Sequence, residues 1–526
     1  MAWRRSSNKP PAAFSTAVEG QTGEVTAAVG RYIGETGGNN AAITYQDPSG
    51  APVEHDSPLG YSVGPVTITL LNITMMIGAG IYSTPSSILS GTGSVGVSLV
   101  YWTLGYLICL ASGAVYLEFT AYFPSRSGSE VVFLEQAYPN PKWLFPTTFA
   151  AQSVILSFGS ANATVMAKYL IAISGHTGIN WQIKGTALAC YSLATLTLVF
   201  NTKYAYWFSN AVGVVKVLTL LFVIVTGFVV LGGNTKVENP TANFHDAWSG
   251  SSTASAYGFT TALYRIIFSY GGYNNAFNVA NEVKNPVKSL KIYATVALTT
   301  VYVLYMFANI AFFAAIPKEE IESSDLTTAS LFFEKVFGSS GAVRGLNFLI
   351  ALASFAVPAG DAFTFVNDLR IIPSAVFSLA MALGIYIVRW RRKQANLPEP
   401  EFKAWNVVII FNVLVQLYLL VMPWYPPAGG QYAGDVSFWY GTSAVTGVGI
   451  LLLCGIYYYV WAFLIPNWKG YRLRQEPLKL DGGVQSNQLR KVPVSELAEW
   501  DATHDAAGRL IESPVEIHIQ VKGNDV

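Results

Sequence analysis

Ten stretches of about twenty apolar residues follow one another along this chain, and a run of that length is what a helix needs to cross the hydrocarbon core of a bilayer. They lie at Val63–Leu89, Val95–Phe119, Phe145–Ile173, Ile183–Phe200, Trp207–Leu231, Phe259–Val283, Tyr293–Ile316, Ile371–Trp390, Trp405–Trp424 and Trp439–Ile465. A further apolar piece, Leu346–Val357, rises only about 18 Å at 1.5 Å per residue, short of a core of about 30 Å. The sequence therefore specifies an all-α polytopic membrane protein. Composition agrees, since 12% of residues are charged and 52% apolar, whereas about a quarter are charged in a soluble domain.

Several function classes fall away. A formal net charge of +1 provides no basic face for nucleic acid. Cys109, Cys190 and Cys454 sit in apolar runs without CxxC spacing, so neither a disulfide framework nor a zinc site is indicated. His55, His176, His245, His504 and His518 all lie outside the spans. No metal and no cofactor is expected, and no span carries a nucleophile–base pair, which argues against a membrane enzyme. Met1–Leu59 is rich in Gly, Ser, Thr, Pro and Ala, with no signal-peptide core. Residues 1–59 are expected to be a disordered tail, 60–471 the transmembrane domain, and 472–526 a second mobile tail.

Basic residues orient the spans. The first tail holds Arg4, Arg5, Lys9 and Arg31, and the loop after the sixth span holds Lys284, Lys288 and Lys291. Arg389, Arg391, Arg392, Lys393 and Lys403 follow the span Ile371–Trp390. The signs alternate correctly when both termini are cytoplasmic and Leu346–Val357 does not cross, with Pro358 and Gly360 turning the chain back.

Two spans are interrupted near their middle. The first contains Ile77-Gly78-Ala79-Gly80, and the sixth contains Tyr270-Gly271-Gly272-Tyr273. Clustered glycine weakens a helix, and backbone released at membrane depth survives only where it lines a cavity or binds something. Close helix packing through small residues is the competing explanation for either cluster. The broken spans are the first and the sixth, an odd offset of five, so the two copies stand in opposite orientation, as in transporters with inverted repeats. Half-helix N-termini attract a carboxylate and half-helix C-termini an ammonium. A zwitterionic amino acid matches both.

The motifs themselves carry a resemblance. Ile77-Gly78-Ala79-Gly80-Ile81-Tyr82-Ser83-Thr84-Pro85 resembles the first-helix motif of the amino acid–polyamine–organocation superfamily, in its L-type amino acid transporter branch. Asn281-Glu282-Val283-Lys284-Asn285-Pro286 resembles that branch's end of helix six, and Pro124-Ser125-Arg126-Ser127-Gly128-Ser129-Glu130 its first cytoplasmic loop. Tyr270–Ala276 together with Ser83–Leu89 is most similar to fungal methionine permeases. The resemblance spans about Leu59 to Tyr471.

It implies a LeuT-type inverted-repeat fold with discontinuous first and sixth helices. It also implies a symporter-like secondary transporter for neutral L-amino acids, methionine first among them, in a plasma membrane. By the same resemblance the substrate carboxylate sits on the amides of Ala79 and Gly80. The ammonium faces the carbonyls of Met76, Ile77, Phe268, Ser269 and Gly271. Phe268 and Tyr273 shape the side-chain pocket, and Asn274 holds the unwound turn. Lys216, in the middle of the fifth span, takes the place of a sodium ion. Burial can lower a lysine pKa, and no acidic residue is apparent near the breaks, so proton coupling is expected there. Arg265, about two turns before the sixth-helix break, reads as an outer gate or as an interfacial anchor. Glu118 reads as a packing partner with no transport role. Partners are the amino acid and the bilayer, with cytoplasmic regulators at the tails left open.

The chain departs from the family in one place. Relatives have twelve spans, but here Val357 runs straight into Pro358-Ala359-Gly360-Asp361. About forty residues of the family pattern, part of helix eight and helix nine, are missing from it. An inactive or regulatory variant that keeps the fold without turnover is therefore the second reading.

Overall fold

Proline and capping hydroxyls punctuate the apolar runs, and the helices start where these fall. In the computed structural model, residues 25–29, 32–47, 50, 53, 61, 63–156, 160–173, 179–200, 202–324, 328–338, 341–353, 361–432, 439–479, 485–505, 508 and 510 are described. Helix α1 (Pro65–Met76) begins on Pro65, and α2 (Ala79–Ser83) gives way to α3 (Pro85–Thr92) at Pro85. A proline suits the first turn because its missing N–H would have no partner there. Helix α4 (Val95–Tyr122) is capped by Ser94, whose Oγ accepts from the Val97 amide at 3.4 Å.

The chain continues through α5 (Glu130–Ala137), α6 (Leu144–Ile155), α7 (Ser160–Ile173), α8 (Asn180–Phe200) and α9 (Thr202–Leu231). Helix α10 (Ala256–Ser269) is capped by Ser255, which accepts from Gly258 at 3.0 Å. A 3-10 segment, Asn275–Glu282, leads to α11 (Pro286–Ala315). Then come α12 (Thr328–Phe337), α13 (Gly341–Ala353), α14 (Asp361–Gln394), α15 (Asn406–Val421) and α16 (Thr442–Tyr459).

Seven of the described helices are long and apolar enough to cross a membrane: Pro65–Ser83, Val95–Tyr122, Ala211–Leu231, Pro286–Ala315, Asp368–Gln394, Asn406–Trp424 and Thr442–Lys469. The other three expected spans have visible explanations. Phe145–Ile173 is divided into α6 and α7, and Phe259–Val283 is broken after Ser269. Ile183–Phe200 forms one helix, α8, of 21 residues, about 31 Å long at 1.5 Å per residue. The short piece near residue 346 is helical over Gly341–Ala353 and packs against α7 and α9. Val357, Pro358 and Gly360, the expected turn, lie outside the described residues.

The first tail departs from the expectation of disorder. Strands β1 (Val25–Val29), β2 (Tyr32–Glu35) and β3 (Thr44–Gln46) form an antiparallel sheet, with Ile33 opposite Gln46 and Glu35 opposite Thr44. Polar docking holds it. The buried Glu35 carboxylate accepts from Gln46 Nε2 at 2.8 Å and from the Val53 amide at 2.9 Å. Asn39 donates to the Pro124 carbonyl at 3.2 Å, and Arg126 donates to Gln46 Oε1 at 2.5 Å. In the second tail, β4 (Tyr471–Lys479) and β5 (Gln485–Pro493) make an antiparallel hairpin, again where mobility was expected.

One ion pair ties three helices together at the end of α4. Glu118 is fully buried, and its two oxygens accept from Arg389 Nε and Nη2, each at 2.7 Å. The Ala404 amide donates to the same carboxylate at 2.8 Å, and Tyr122 Oη at 3.0 Å. Every polar atom has its partner, which a buried charge requires. Glu118 is thus a packing residue, joining α4 to α14 and to the entry of α15. Glu118→Ala strands the Arg389 guanidinium, a loss of about 3–5 kcal/mol. The expected outcome is a clearly lower apparent melting temperature of the detergent-purified protein, partly recovered in Glu118→Leu/Arg389→Met. An unchanged melting temperature would show that the pair is dispensable.

Candidate functional site

The two interruptions form where the glycines stand. Helix α1 ends at Met76, Ile77 is extended (φ −72°, ψ 102°), and helical geometry resumes at Ala79 after Gly78. Helix α10 ends at Ser269, and Tyr270 to Asn274 make the turn before the 3-10 segment. Gly272 has φ +105°, the left-handed region that favours glycine, and an added Cβ would lie 2.6 Å from Met75 Cβ. A Cβ on Gly80 would lie 2.7 Å from Ser269 Oγ and 2.9 Å from Ser269 Cα. Gly80 is therefore a point of close contact between the broken helices as well as a candidate ligand.

A hydroxyl from α11 brings the breaks together. Tyr305 is fully buried, and its Oη lies 2.6 Å from the Met76 carbonyl and 3.0 Å from the Ser269 carbonyl. It has one proton to donate, and each carbonyl keeps acceptor capacity for a second donor. Met76 and Ser269, one at each break, thus lie within reach of the same hydroxyl. Ile77 is buried beside them, and Thr84 Oγ1 lies 3.1 Å from Ser269 Oγ. The Phe268 carbonyl already accepts from the Gly271 amide at 2.9 Å, within the turn.

Asn72, on α1, braces the second break. Its Nδ2 donates to the Tyr273 carbonyl at 2.9 Å, and its Oδ1 accepts from the Ala276 amide at 2.9 Å. Asn274, expected to hold this turn by hydrogen bonding, bonds to α4 and α5. Its Nδ2 donates to Glu130 Oε1 at 2.9 Å and to Tyr116 Oη at 3.1 Å, while Tyr116 donates to Glu130 at 2.5 Å. Tyr273 points its hydroxyl at Ser112 on α4, 2.7 Å away. The expectation that no acidic group lies near the breaks fails, because Glu130 on α5 reaches the second one directly.

Lys216 is 6% exposed, and its backbone carbonyl accepts from Tyr82 Oη at 3.3 Å. One turn earlier, a Cβ on Gly213 would meet Thr74 Cγ2 at 2.6 Å. Thr74 and Tyr82 flank the first break, so Lys216 stands level with it, and no carboxylate pairs with it among the described residues. Arg265 is 2% exposed and pairs with Asp368 Oδ1 at 2.9 Å. Burial of that degree removes the interfacial-anchor reading.

Sequence reasoning passed over Tyr305, Asn72, Asp368 and Glu130. A polar residue inside an apolar span is a signal, and Asn72 carried it. Tyr305 gave none, sharing its span with Tyr302 and other aromatics.

The family profile described as amino acid permease matches residues 63–357 and 344–453. The chain is 30% identical over 485 residues to the high-affinity methionine permease of Saccharomyces cerevisiae, covering 82% of this chain and 84% of that protein. It is 23% identical over 499 residues to the low-affinity methionine permease of the same yeast, covering 83% and 89%. Similarity to the b(0,+)-type amino acid transporter 1 of Mus musculus is 24% over 454 residues, covering 76% and 89%.

Asn72→Ala leaves the part-buried Tyr273 carbonyl and the buried Ala276 N–H without their partner, at about 1–3 kcal/mol. Hydrogen exchange at the Ala276 amide should speed up by one to two orders of magnitude, with little change in α16. Equal exchange in both proteins would show that Asn72 does not brace the turn.

Proposed function

The chain belongs to the amino acid permease family, and from that premise we propose a secondary transporter that takes up neutral L-amino acids, methionine foremost, by alternating access. It is a membrane transporter and not an enzyme. The observation that carries the proposal is Tyr305, whose hydroxyl reaches Met76 and Ser269 and so draws both helix interruptions to one point. Methionine is put forward because two of the relatives are named as methionine permeases.

In this reading the breaks belong to two inverted halves of a LeuT-type fold. The substrate carboxylate takes the amides of Ala79 and Gly80 at the start of a half-helix. The ammonium shares the carbonyls of Met76 and Ser269 with Tyr305, with Ile77, Phe268 and Gly271 close by. Arg265 and Asp368 form the outer gate. The alternation of basic loops supports cytoplasmic termini in a plasma membrane.

Coupling is proposed to run through a proton on Lys216, supported by its burial beside the first break. Labelled methionine uptake into proteoliposomes should be saturable, indifferent to replacement of sodium, and stimulated by an inward proton gradient. Lys216→Met should lose the gradient response and keep exchange. Sodium-dependent accumulation would overturn proton coupling. Loss of the gradient response in Glu130→Gln, with Lys216→Met unaffected, would move the coupling group to Glu130. Tyr305→Phe should raise the apparent KM about three- to tenfold, the worth of one hydrogen bond; an unchanged KM would detach Tyr305 from the substrate.

One observation favours the second reading, a variant that keeps the fold without turnover. Residues 344–357 are claimed by both segments of the family match, a stretch that overlaps α13. Binding of methionine without uptake in the same proteoliposomes is its signature.

A further inference from the structure

Along the seam between α4 and α11, three buried polar atoms meet no hydrogen-bond partner among the described residues: Ser98 Oγ, Trp102 Nε1 and Asn309 Oδ1. All three residues are fully buried. The helices run antiparallel here, with Thr103 Oγ1 3.2 Å from Tyr302 Oη and Tyr106 Oη 3.1 Å from Thr299 Oγ1. Trp102 meets Tyr305 across the seam, edge to face, with ring centres 5.4 Å apart. One turn back along α4 and one turn on along α11, the same register sets Ser98 opposite Asn309.

Asn309 has a fixed orientation. Its Nδ2 donates to the Tyr305 carbonyl at 2.8 Å, and a turned amide would set two carbonyl oxygens against each other. Trp102 is tied to the second break as well as to Tyr305. The Tyr270 hydroxyl donates to the Trp102 carbonyl at 3.2 Å, and the two rings stand edge to face at 5.9 Å. A polar atom buried and left unmet costs its full desolvation. The three orphans offer one N–H donor, one carbonyl acceptor and one hydroxyl that can act either way. A buried water makes about three hydrogen bonds to groups of this kind.

We propose that Ser98, Trp102 and Asn309 bind one internal water, and that this water makes Trp102 and Asn309 positioning residues for Tyr305. The water accepts from Trp102 Nε1, donates to Asn309 Oδ1 and completes its shell on Ser98 Oγ. Trp102 packs on the Tyr305 ring and Asn309 holds the Tyr305 carbonyl, so the bridge clamps the residue whose hydroxyl reaches both helix breaks. An anion is the poorer occupant, because Asn309 offers it an oxygen. Binding of the water stands on burial and hydrogen bonding alone, whereas its effect on substrate rests on the transport reading above.

X-ray radiolytic footprinting of the full chain in nanodiscs tests the water directly, because the pulse oxidises aromatic side chains that touch water. Trp102 should be oxidised despite its burial, alongside the exposed Trp468, while the equally buried Phe332 stays intact. Asn309→Leu, close to Asn in volume, and Ser98→Ala should each remove most of the Trp102 oxidation at an unchanged melting temperature. If Asn309→Leu melts lower, Ser98→Ala decides. An intact Trp102 at doses that oxidise Trp468, undiminished oxidation in a correctly folded variant, or loss of the oxidation when gluconate replaces chloride would each overturn the water. Methionine binding to the purified chain tests the positioning. Asn309→Leu should weaken it about threefold, the worth of part of one hydrogen bond, and should add nothing to the loss in Tyr305→Phe. An equal further loss in the Tyr305→Phe background would detach the water from Tyr305. Failure of the unaltered chain to bind methionine would overturn the positioning role together with the transport reading, and the footprint would still decide the water.

Discussion

A backbone carbonyl released from a helix inside hydrocarbon has no water to turn to, and this chain releases backbone in two places. The first release, at Ile77 and Gly78, and the second, from Tyr270 to Asn274, must be met from within the protein. Tyr305 lies within reach of both, its single hydroxyl proton shared between the Met76 and Ser269 carbonyls, on a helix that is itself unbroken. Asn72 serves the second from the first, spanning a carbonyl and an amide with one side chain. The breaks are therefore not two independent weak points. Each is satisfied partly by groups belonging to the other or to their shared neighbour α11, so the local geometry of one constrains the other.

The glycines at the breaks answer two demands at once. Gly272 needs its positive φ, and it also sits where a Cβ would strike Met75. Gly80 sits where a Cβ would strike the backbone of Ser269. Helix unwinding and small-residue packing, treated as alternatives on sequence grounds, coexist at the same positions. A branched residue at Gly80 would force the helices apart as well as fill an amide-lined space. Such a variant cannot distinguish a binding role from a packing one, whereas removal of the Tyr305 hydroxyl leaves the packing in place.

Much of this was legible in the sequence because the responsible signals are local. Apolar runs, Pro65, Pro85 and Pro286 at helix starts, and glycine pairs in mid-span each act through nearest neighbours. Lys216 stood out because a lysine in an apolar run has no cheap explanation. Arg265 stood out likewise, but its partner Asp368 lies 103 residues further on, beyond any local pattern. The N-terminal sheet was missed for a different reason. Its strands have little apolar core of their own and are held by Asn39 and Gln46 against a loop near residue 125, with Glu35 bonded to Gln46 inside the segment. Composition measures what a segment can bury by itself, and this one is stabilised by a surface that the rest of the fold provides.

That surface connects the sheet to the second break. On one side, the loop between α4 and α5 accepts from Asn39 at the Pro124 carbonyl and donates to Gln46 through Arg126. On the other side, Ser127 donates to Asn281, and the Gly128 amide donates to the Asn278 carbonyl at 3.2 Å. Two residues later, Glu130 holds Asn274. The Asn285 amide, just before α11, donates to the Asn39 carbonyl at 3.1 Å, which closes the circuit. Any displacement of the 3-10 segment away from α4 must break the bonds to Gly128, Ser127 and Glu130, or carry the loop and the sheet with it. A hydrogen bond exchanged for water costs little, but one left unmade in a buried setting costs its full desolvation. Movement at the second break is thus inexpensive only when water reaches this loop, and the sheet covers part of the surface through which water would come.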